Sequence, residues 1–398
     1  MLHRIRRRLT PMPGGGKAQR IVGSTMTVDA TQIERSDYPA VEYFCDDWVN
    51  RRHMDNPLEI VFESRNWIPL NGEHGIAGTS GYRMYKDYFP SYAYSNIAPT
   101  AALSSSIPSV GTVATAVLAR SNPSKPYVSV PNFLYELKDL PGMIRDIGRL
   151  RLQAKNLRRK GIQRIHPKVA ASHYLSYEMG WRPLISDLRK LLDFQAQVDK
   201  KYTELHNLYN KGGIQRRVRS PAWKATLTSH EDSQVTVESL IGVPIHCRQS
   251  QINMIERWGT VRWQPRVLPS QRYSNQQLAN LARDLTFGMK GISAKQVWDA
   301  IPWTWLIGWF SNADEFLQAH DNTIPLVHST PCIMTKTFIR RDWVRVPGNA
   351  PLYTGGEGAT IVETKERTTS SGSLSATIPF LNGRQLSILG ALAIQRKR

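Results

Sequence analysis

The spacing of apolar positions changes character along the chain, in the order strands, helices, strands, helices, strands. From 21 to 130, short β-branched runs such as Glu59-Ile60-Val61-Phe62-Glu63 sit between stretches rich in Gly, Pro, Ser and Tyr, which predicts strands and loops. Asn71-Gly72 predicts a tight turn, Tyr82 to Tyr94 an aromatic surface or strand pair, and the small residues of 98–126 a loop. Helical spacing begins near Phe133, with Leu137, Leu140, Ile144, Ile147, Ala154 and Leu157 on one stripe. Gly161 fits the end of that helix. A second helical region starts near Pro167, Trp181-Arg182-Pro183 marks a kink or fresh start, and from Leu184 to Tyr209 it carries a seam that alternates by four and three until Gly212-Gly213 ends it. Period two returns in Gln234-Val235-Thr236-Val237-Glu238 and Gly259-Thr260-Val261-Arg262-Trp263. A third helical block covers 275–319, strands return over 331–380, and Gln385 to Gln395 has helical spacing.

The economical arrangement is an elongated α+β fold with a helical bundle region and a separate antiparallel β-sheet region, both discontinuous in sequence. The β-rich region takes 21–130 with 220–270 and 331–380. The helical region takes 131–219 with 275–320 and 385–395, and 1–20 forms a basic arm. Four of the 11 tryptophans fall between Val297 and Phe310. The apolar run there, from Ala300, is far short of the roughly 20 residues a membrane span needs, and Pro302 and Gly308 interrupt it. A buried helix is the better account, with Trp181, Trp298, Trp305, Trp309 and Phe310 as structural core.

Charge narrows the function. The chain carries 52 Lys plus Arg against 32 Asp plus Glu, a formal net charge of +20. Such a surplus repels itself unless a polyanion neutralises it, and arginine forks match phosphate oxygens. Arg145, Arg149, Arg151, Lys155, Arg158, Arg159 and Lys160 form a strip on the first helix with few acidic neighbours. A solvated face is the ordinary explanation of a charge run. A row of this length also suits a phosphate backbone, with Arg164, Lys168, Arg216, Arg217 and Arg219 as second-rank contacts. Gly14-Gly15-Gly16-Lys17 lacks the earlier glycine and the Ser or Thr of a phosphate loop. Cys45, Cys247 and Cys332 are too scattered for a metal ribbon or a disulfide framework. Asp46-Asp47, adjacent on a strand, point to opposite faces. His166, His173 and His246-Cys247 have no clear partners for chemistry. No catalytic residue, cofactor or metal is expected.

Two blocks resemble one family. Tyr174-Leu175-Ser176-Tyr177-Glu178-Met179-Gly180-Trp181-Arg182-Pro183-Leu184-Ile185-Ser186-Asp187 resembles the Y-L-x-Y-x-F-G-W-x-P-L-x-x-D block of the maturation proteins (A proteins) of single-stranded RNA bacteriophages of the levivirus type. Trp298-Asp299-Ala300-Ile301-Pro302-Trp303-Thr304-Trp305-Leu306-Ile307-Gly308-Trp309-Phe310 resembles their W-x-x-I-P-[WY]-[ST]-F-[VL]-x-D-W-F block, with Gly308 where that pattern often has Asp. The resemblance implies a non-enzymatic virion protein, made in the bacterial cytoplasm and present as one copy in place of a coat-protein dimer. Its helical region would hold structured 3′ segments of the single-stranded genomic RNA. Its β-rich region would attach to a host pilus subunit, and the protein would enter with the RNA. Tyr82, Tyr85, Tyr88, Tyr92 and Tyr94 are then candidates for the receptor surface, against the plainer alternative of sheet packing. A basic RNA-processing enzyme, or an RNA chaperone without a receptor, remains an alternative.

Overall fold

The structure, a computed structural model, describes residues 2–22, 25–49, 57–78, 80–99, 101–127, 152, 155, 167–182, 185–186, 193–266, 273–289, 295, 299, 309, 311–320, 324–373 and 383–396. The strands in chain order begin with β1 (Leu2–Thr10), β2 (Lys17–Val22), β3 (Thr25–Thr31), β4 (Val41–Val49), β5 (Leu58–Trp67), β6 (Leu70–Gly75) and β7 (Tyr82–Tyr88). They continue with β8 (Ile214–Glu238), β9 (Ile245–Pro265), β10 (Leu326–His328), β11 (Cys332–Arg345) and β12 (Gly358–Thr369). The described helices are α1 (Ala101–Ser105), α2 (Val110–Ser121), α3 (Pro167–Ser176), α4 (Phe194–Asn210), α5 (Asn275–Thr286), α6 (Ala313–Ala319) and α7 (Gly383–Arg396). The chain forms two compact units: Met1–Ala114, Arg217–Thr260 and Thr330–Ser371 make the first, and Thr115–Arg216, Val261–Ser329 and Gly372–Arg398 the second.

The first unit holds an antiparallel sheet in the order β1-β4-β5-β12-β11-β9, with β8 also paired to β9. A smaller sheet runs β3-β2-β7-β6. Period-two patterning assigns the large sheet two unlike faces. Along β11, Ile339 and Trp343 are buried while Arg340 and Val344 are exposed. The covered face packs Trp67, Cys247, Ile339 and Trp343 with Ala18, Leu70, Tyr85 and Tyr88 of the small sheet. Trp67 and Trp343 meet at 4.7 Å between ring centroids. Leu103 and Ile107 pack on Ile255 of the same face.

In the second unit, α4 buries Leu205, Leu208 and Tyr209 and packs on α5. A reciprocal cap between Ser274 and Gln277 starts α5, which buries Leu278, Leu281, Ala282 and Leu285. Gly212 and Gly213 end α4 with φ of 61° and 137°, and a Cβ at Gly213 would lie 2.7 Å from the Trp263 carbonyl oxygen. The last residues of β9 pair with β10, and the fully buried Trp263 donates its indole N–H to Ser121 Oγ at 2.9 Å. Among the described residues no helix is long and apolar enough to cross a membrane.

Four expectations need correction. Residues 1–20 are not a free arm: β1 pairs with β4 from Leu2↔Val49 to Thr10↔Val41, and β2 lies between β3 and β7. Part of the segment's charge is met by Arg4 to Asp47 and Arg7 to Glu42, His3 lies 2.6 Å from Asp46, and Asp46 and Asp47 are on opposite faces. The stretch 98–126 is not loop: α2 buries Val113, Ala114, Ala116, Val117, Leu118 and Ala119. Asn71-Gly72 is no hairpin turn but a register break within β6, where Gly72 adopts φ 147° and its α-carbon faces the Leu352 carbonyl. Strand and helix are not segregated either, since the first unit contains α1 and the second contains β10 with the end of β9. The stripe from Leu137 to Leu157 and Gly161 lie outside the described residues.

Candidate nucleic-acid interface

Of the predicted cationic strip, Arg145, Arg149, Arg151, Arg158, Arg159 and Lys160 lie outside the described residues, as does Arg164. Lys155 is helical and exposed, and Lys168 is exposed in the first turn of α3. Trp298, Trp305 and Phe310 are also outside the described set. Residues from both tryptophan blocks share one small cluster. Leu175 is buried with Ile388 and Ala391 of α7, and Tyr174, Trp309 and Leu392 pack against that cluster. After α3 the chain widens into a π-helical turn, Tyr177–Trp181, where Trp181 is half-buried. Glu178 in this turn takes Arg182 at 3.1 Å and Arg384 of α7 at 2.6 Å. Asp299 is held by Lys295, which also reaches Asp314 at 2.5 Å.

Arg216, Arg217 and Arg219 lie on β8, not on a helix. Arg216 pairs with Glu204 at 2.9 Å, so its charge is already answered. Arg217 and Arg219 instead stack over the Trp258 ring, at 5.2 and 5.1 Å from its centroid. Stacking on an aromatic face holds a guanidinium plane while leaving its N–H fork free to donate.

By register Trp258, itself buried at 7% exposure, lies on the side of the large sheet away from Trp343, and the rest of that side is an open face that can be assembled row by row from the pairing. One row runs Arg8, Tyr43, Phe62, Glu363, Phe338, Met254 across six strands. The row on one side runs Arg6, Cys45, Ile60, Lys365, Lys336, Glu256, and the row on the other ends in Ile361, Arg340 and Ile252. The Tyr43 and Phe62 rings meet at 4.8 Å between centroids, with their planes tilted by 40°. Tyr43 is 52% exposed and Val344 61%, whereas Asn253 and Thr360 on the covered face are at 0%.

The face is cationic. It carries Arg4, Arg6 and Arg8 on β1, Arg248 on β9, Lys336 and Arg340 on β11, and Lys365 and Arg367 on β12. Against these stand Asp47, Glu256, Asp342 and Glu363. Three of the four carboxylates are held internally. Asp47 takes Arg4 through two hydrogen bonds, of 2.9 and 2.6 Å, and that pairing holds its carboxyl below the usual range. Asp342 takes Arg340 at 2.8 Å. Glu363 takes Lys365 at 2.6 Å and Lys336 at 2.9 Å. Burial pushes the Glu363 carboxyl up, but the two lysines outweigh it and hold it below its ordinary value. Arg8, Arg217, Arg219 and Arg248 meet no carboxylate among the described residues.

The tyrosines expected at a receptor surface divide. Tyr85 and Tyr88 are 1% and 8% exposed in the core between the sheets, which removes them from any outward-facing set. Burial pushes the Tyr88 phenol up to about 12. Period two puts Tyr85 on the core side of β7 with Lys86 exposed, and Tyr88 reaches the same core past Asp87, whose φ of 49° breaks the alternation. Tyr82, Tyr92 and Tyr94 are half-buried, Tyr92 against Trp343 at 6.4 Å and Tyr94 against Tyr38. Sequence reading missed Tyr43, Phe62, Phe338 and Trp258. One signal was present: Lys336, Phe338 and Arg340 alternate with Thr337 and Ile339, placing two cations beside an aromatic ring on one face.

Among the described residues no group of three His, Cys, Asp or Glu side chains is placed to hold a metal ion. Cys247 is buried, and that burial pushes its thiol up to about 11, the opposite of what a nucleophile needs. No protein-family model and no curated protein matches the chain.

Proposed function

We propose that this chain is the single-copy RNA-binding and attachment protein of a single-stranded RNA bacteriophage particle. In this reading it binds genomic RNA through the basic helical region. It replaces a coat-protein dimer, attaches the particle to a bacterial pilus, and accompanies the RNA into the host. The observation that carries the reading is the pair of tryptophan-anchored blocks, in order, within a chain of net charge +20. The packing of Tyr174 and Leu175 from one block beside Trp309 from the other supports treating the blocks as parts of one framework. Four arginines without carboxylate partners among the described residues, Arg8, Arg217, Arg219 and Arg248, support a polyanionic ligand.

Replacing Arg151, Arg158 and Arg159 by Ala is expected to lower affinity for a structured RNA and to flatten its dependence on salt. Each phosphate contact contributes a slope of about 0.7 to 0.9 in log K against log salt, so losing three lowers the slope by about 2 to 3. Filter binding over a salt series measures this, and an unchanged slope would reject the helical strip as the RNA contact. Particles carrying the chain are expected to adsorb to piliated cells and not to pilus-free cells of the same strain. Equal adsorption to both would reject the attachment role.

A further inference from the structure

We propose that the open face of the large sheet in the first unit is a second RNA site, one that takes unpaired nucleotides by stacking bases on Tyr43, Phe62 and Phe338. The inference rests on the reading above only in taking RNA as the partner. It needs neither the helical strip nor a role in a virion.

The first support is the arrangement of rings and cations. Neighbouring strands are ~4.8 Å apart and alternate residues of a strand ~6.8 Å apart. Tyr43 and Phe62 therefore offer adjoining rings, and Phe338 stands two strands from Phe62, about 10 Å away. Cations flank this aromatic row: Arg8 ends it, Arg6, Lys365 and Lys336 lie in the row on one side, and Arg340 lies on the other. An extended strand of RNA has the same lateral order, with bases in a line and phosphates several ångströms to the side. Bases can leave that line to stack only where they are unpaired, because a duplex keeps its base faces inside.

The second support is charge. A face meant for another protein's apolar surface gains nothing from a surplus of fixed cations, each of which loses hydration when covered. Here Arg8 and Arg248 meet no carboxylate among the described residues, and Arg217 and Arg219 are held by a ring. Cationic grooves with stacking aromatics are the general solution for single-stranded nucleic acid. Glu363 stands within the aromatic row, but its charge is countered by two lysines rather than left facing the ligand.

The test uses the full chain and two fluorescent probes, a short oligouridylate and an RNA duplex without overhangs, followed by anisotropy. Phe62→Leu and Phe338→Leu remove the rings while keeping apolar side chains in the sheet, and circular dichroism melts check that each variant folds. Loss of a stacked base is worth about 5-fold or more in affinity. The double variant is therefore expected to bind oligouridylate at least about 20-fold more weakly, with duplex binding unchanged. Phe338→Trp is expected to preserve oligouridylate binding, and Glu363→Gln to tighten it by removing a negative charge from the row. Oligouridylate binding that survives the double Leu change overturns the stacking site. So does a duplex that loses as much affinity as the oligouridylate. Concentration-dependent dimers in sedimentation, abolished by the same two changes, would reassign the face to a second copy of this chain. If the intact chain binds neither probe nor a structured RNA, the RNA reading itself fails. If structured RNA binds and oligouridylate does not, only this inference fails.

Discussion

Raising salt from about 50 to about 200 mM is expected to weaken RNA binding by the intact chain by about 10³-fold or more. The expectation follows from the source of affinity. A chain with 52 basic and 32 acidic side chains has an excess that no internal pairing can absorb. Ordered carboxylates take part of the cationic surface, as with Arg4 on Asp47, Arg216 on Glu204 and Arg340 on Asp342. What is left can release counterions from RNA, and about six phosphate contacts suffice for a loss of this size. Equilibrium anisotropy with a structured RNA across a salt series gives the slope directly. A slope near zero would mean that the cations serve the fold and not a ligand.

Trp343→Ala is expected to cost the first unit about 3 to 5 kcal/mol. Trp343 is 1% exposed, lies against Trp67 at 4.7 Å and Tyr92 at 6.4 Å, and sits on β11 between β12 and β9. Its removal leaves a cavity that the paired strands on both sides cannot close. The indole N–H is buried without a hydrogen-bond partner among the described residues. Trp343→Phe therefore gives up no polar contact and is expected to cost much less. Urea unfolding followed by the β-sheet circular dichroism signal compares the two. Equal, small losses would show that the contact between the sheets is not where this unit's stability resides.

Much of the secondary structure was legible because its signal is local. β9 alternates over most of its length, since one of its faces meets a core, and the β-branched runs of β11 and β12 read as strands. Gly212-Gly213 marked the end of α4, where the backbone turns to positive φ. Elements whose partners are distant were not legible. α2 reads as loop because it is small, β-branched and buried nearly all round, so it has no polar stripe to set a helical period. β1 reads as a loose arm because its arginines make sense only beside Asp47 and Glu42 on β4. The tyrosines of 82–94 look alike in sequence, and only the strand pairing, with its register shift and the positive φ of Asp87 between Tyr85 and Tyr88, tells that both face inward.

The candidate site shows the same division. Arg217 and Arg219 stood out as a basic cluster. That they share the Trp258 ring depends on the pairing of β8 with β9, which composition does not reveal. The aromatic row of Tyr43, Phe62 and Phe338 is contributed by three strands from distant parts of the chain. No single stretch contains it, so periodicity could identify each strand but not the platform they form together.

The most direct test of the central claim is ultraviolet cross-linking of the full chain to genomic-type RNA, with adducts mapped by mass spectrometry. The account predicts adducts on peptides within 143–168 and on those carrying Phe62 and Phe338. RNA that cross-links to neither region, while the chain remains folded, would contradict it.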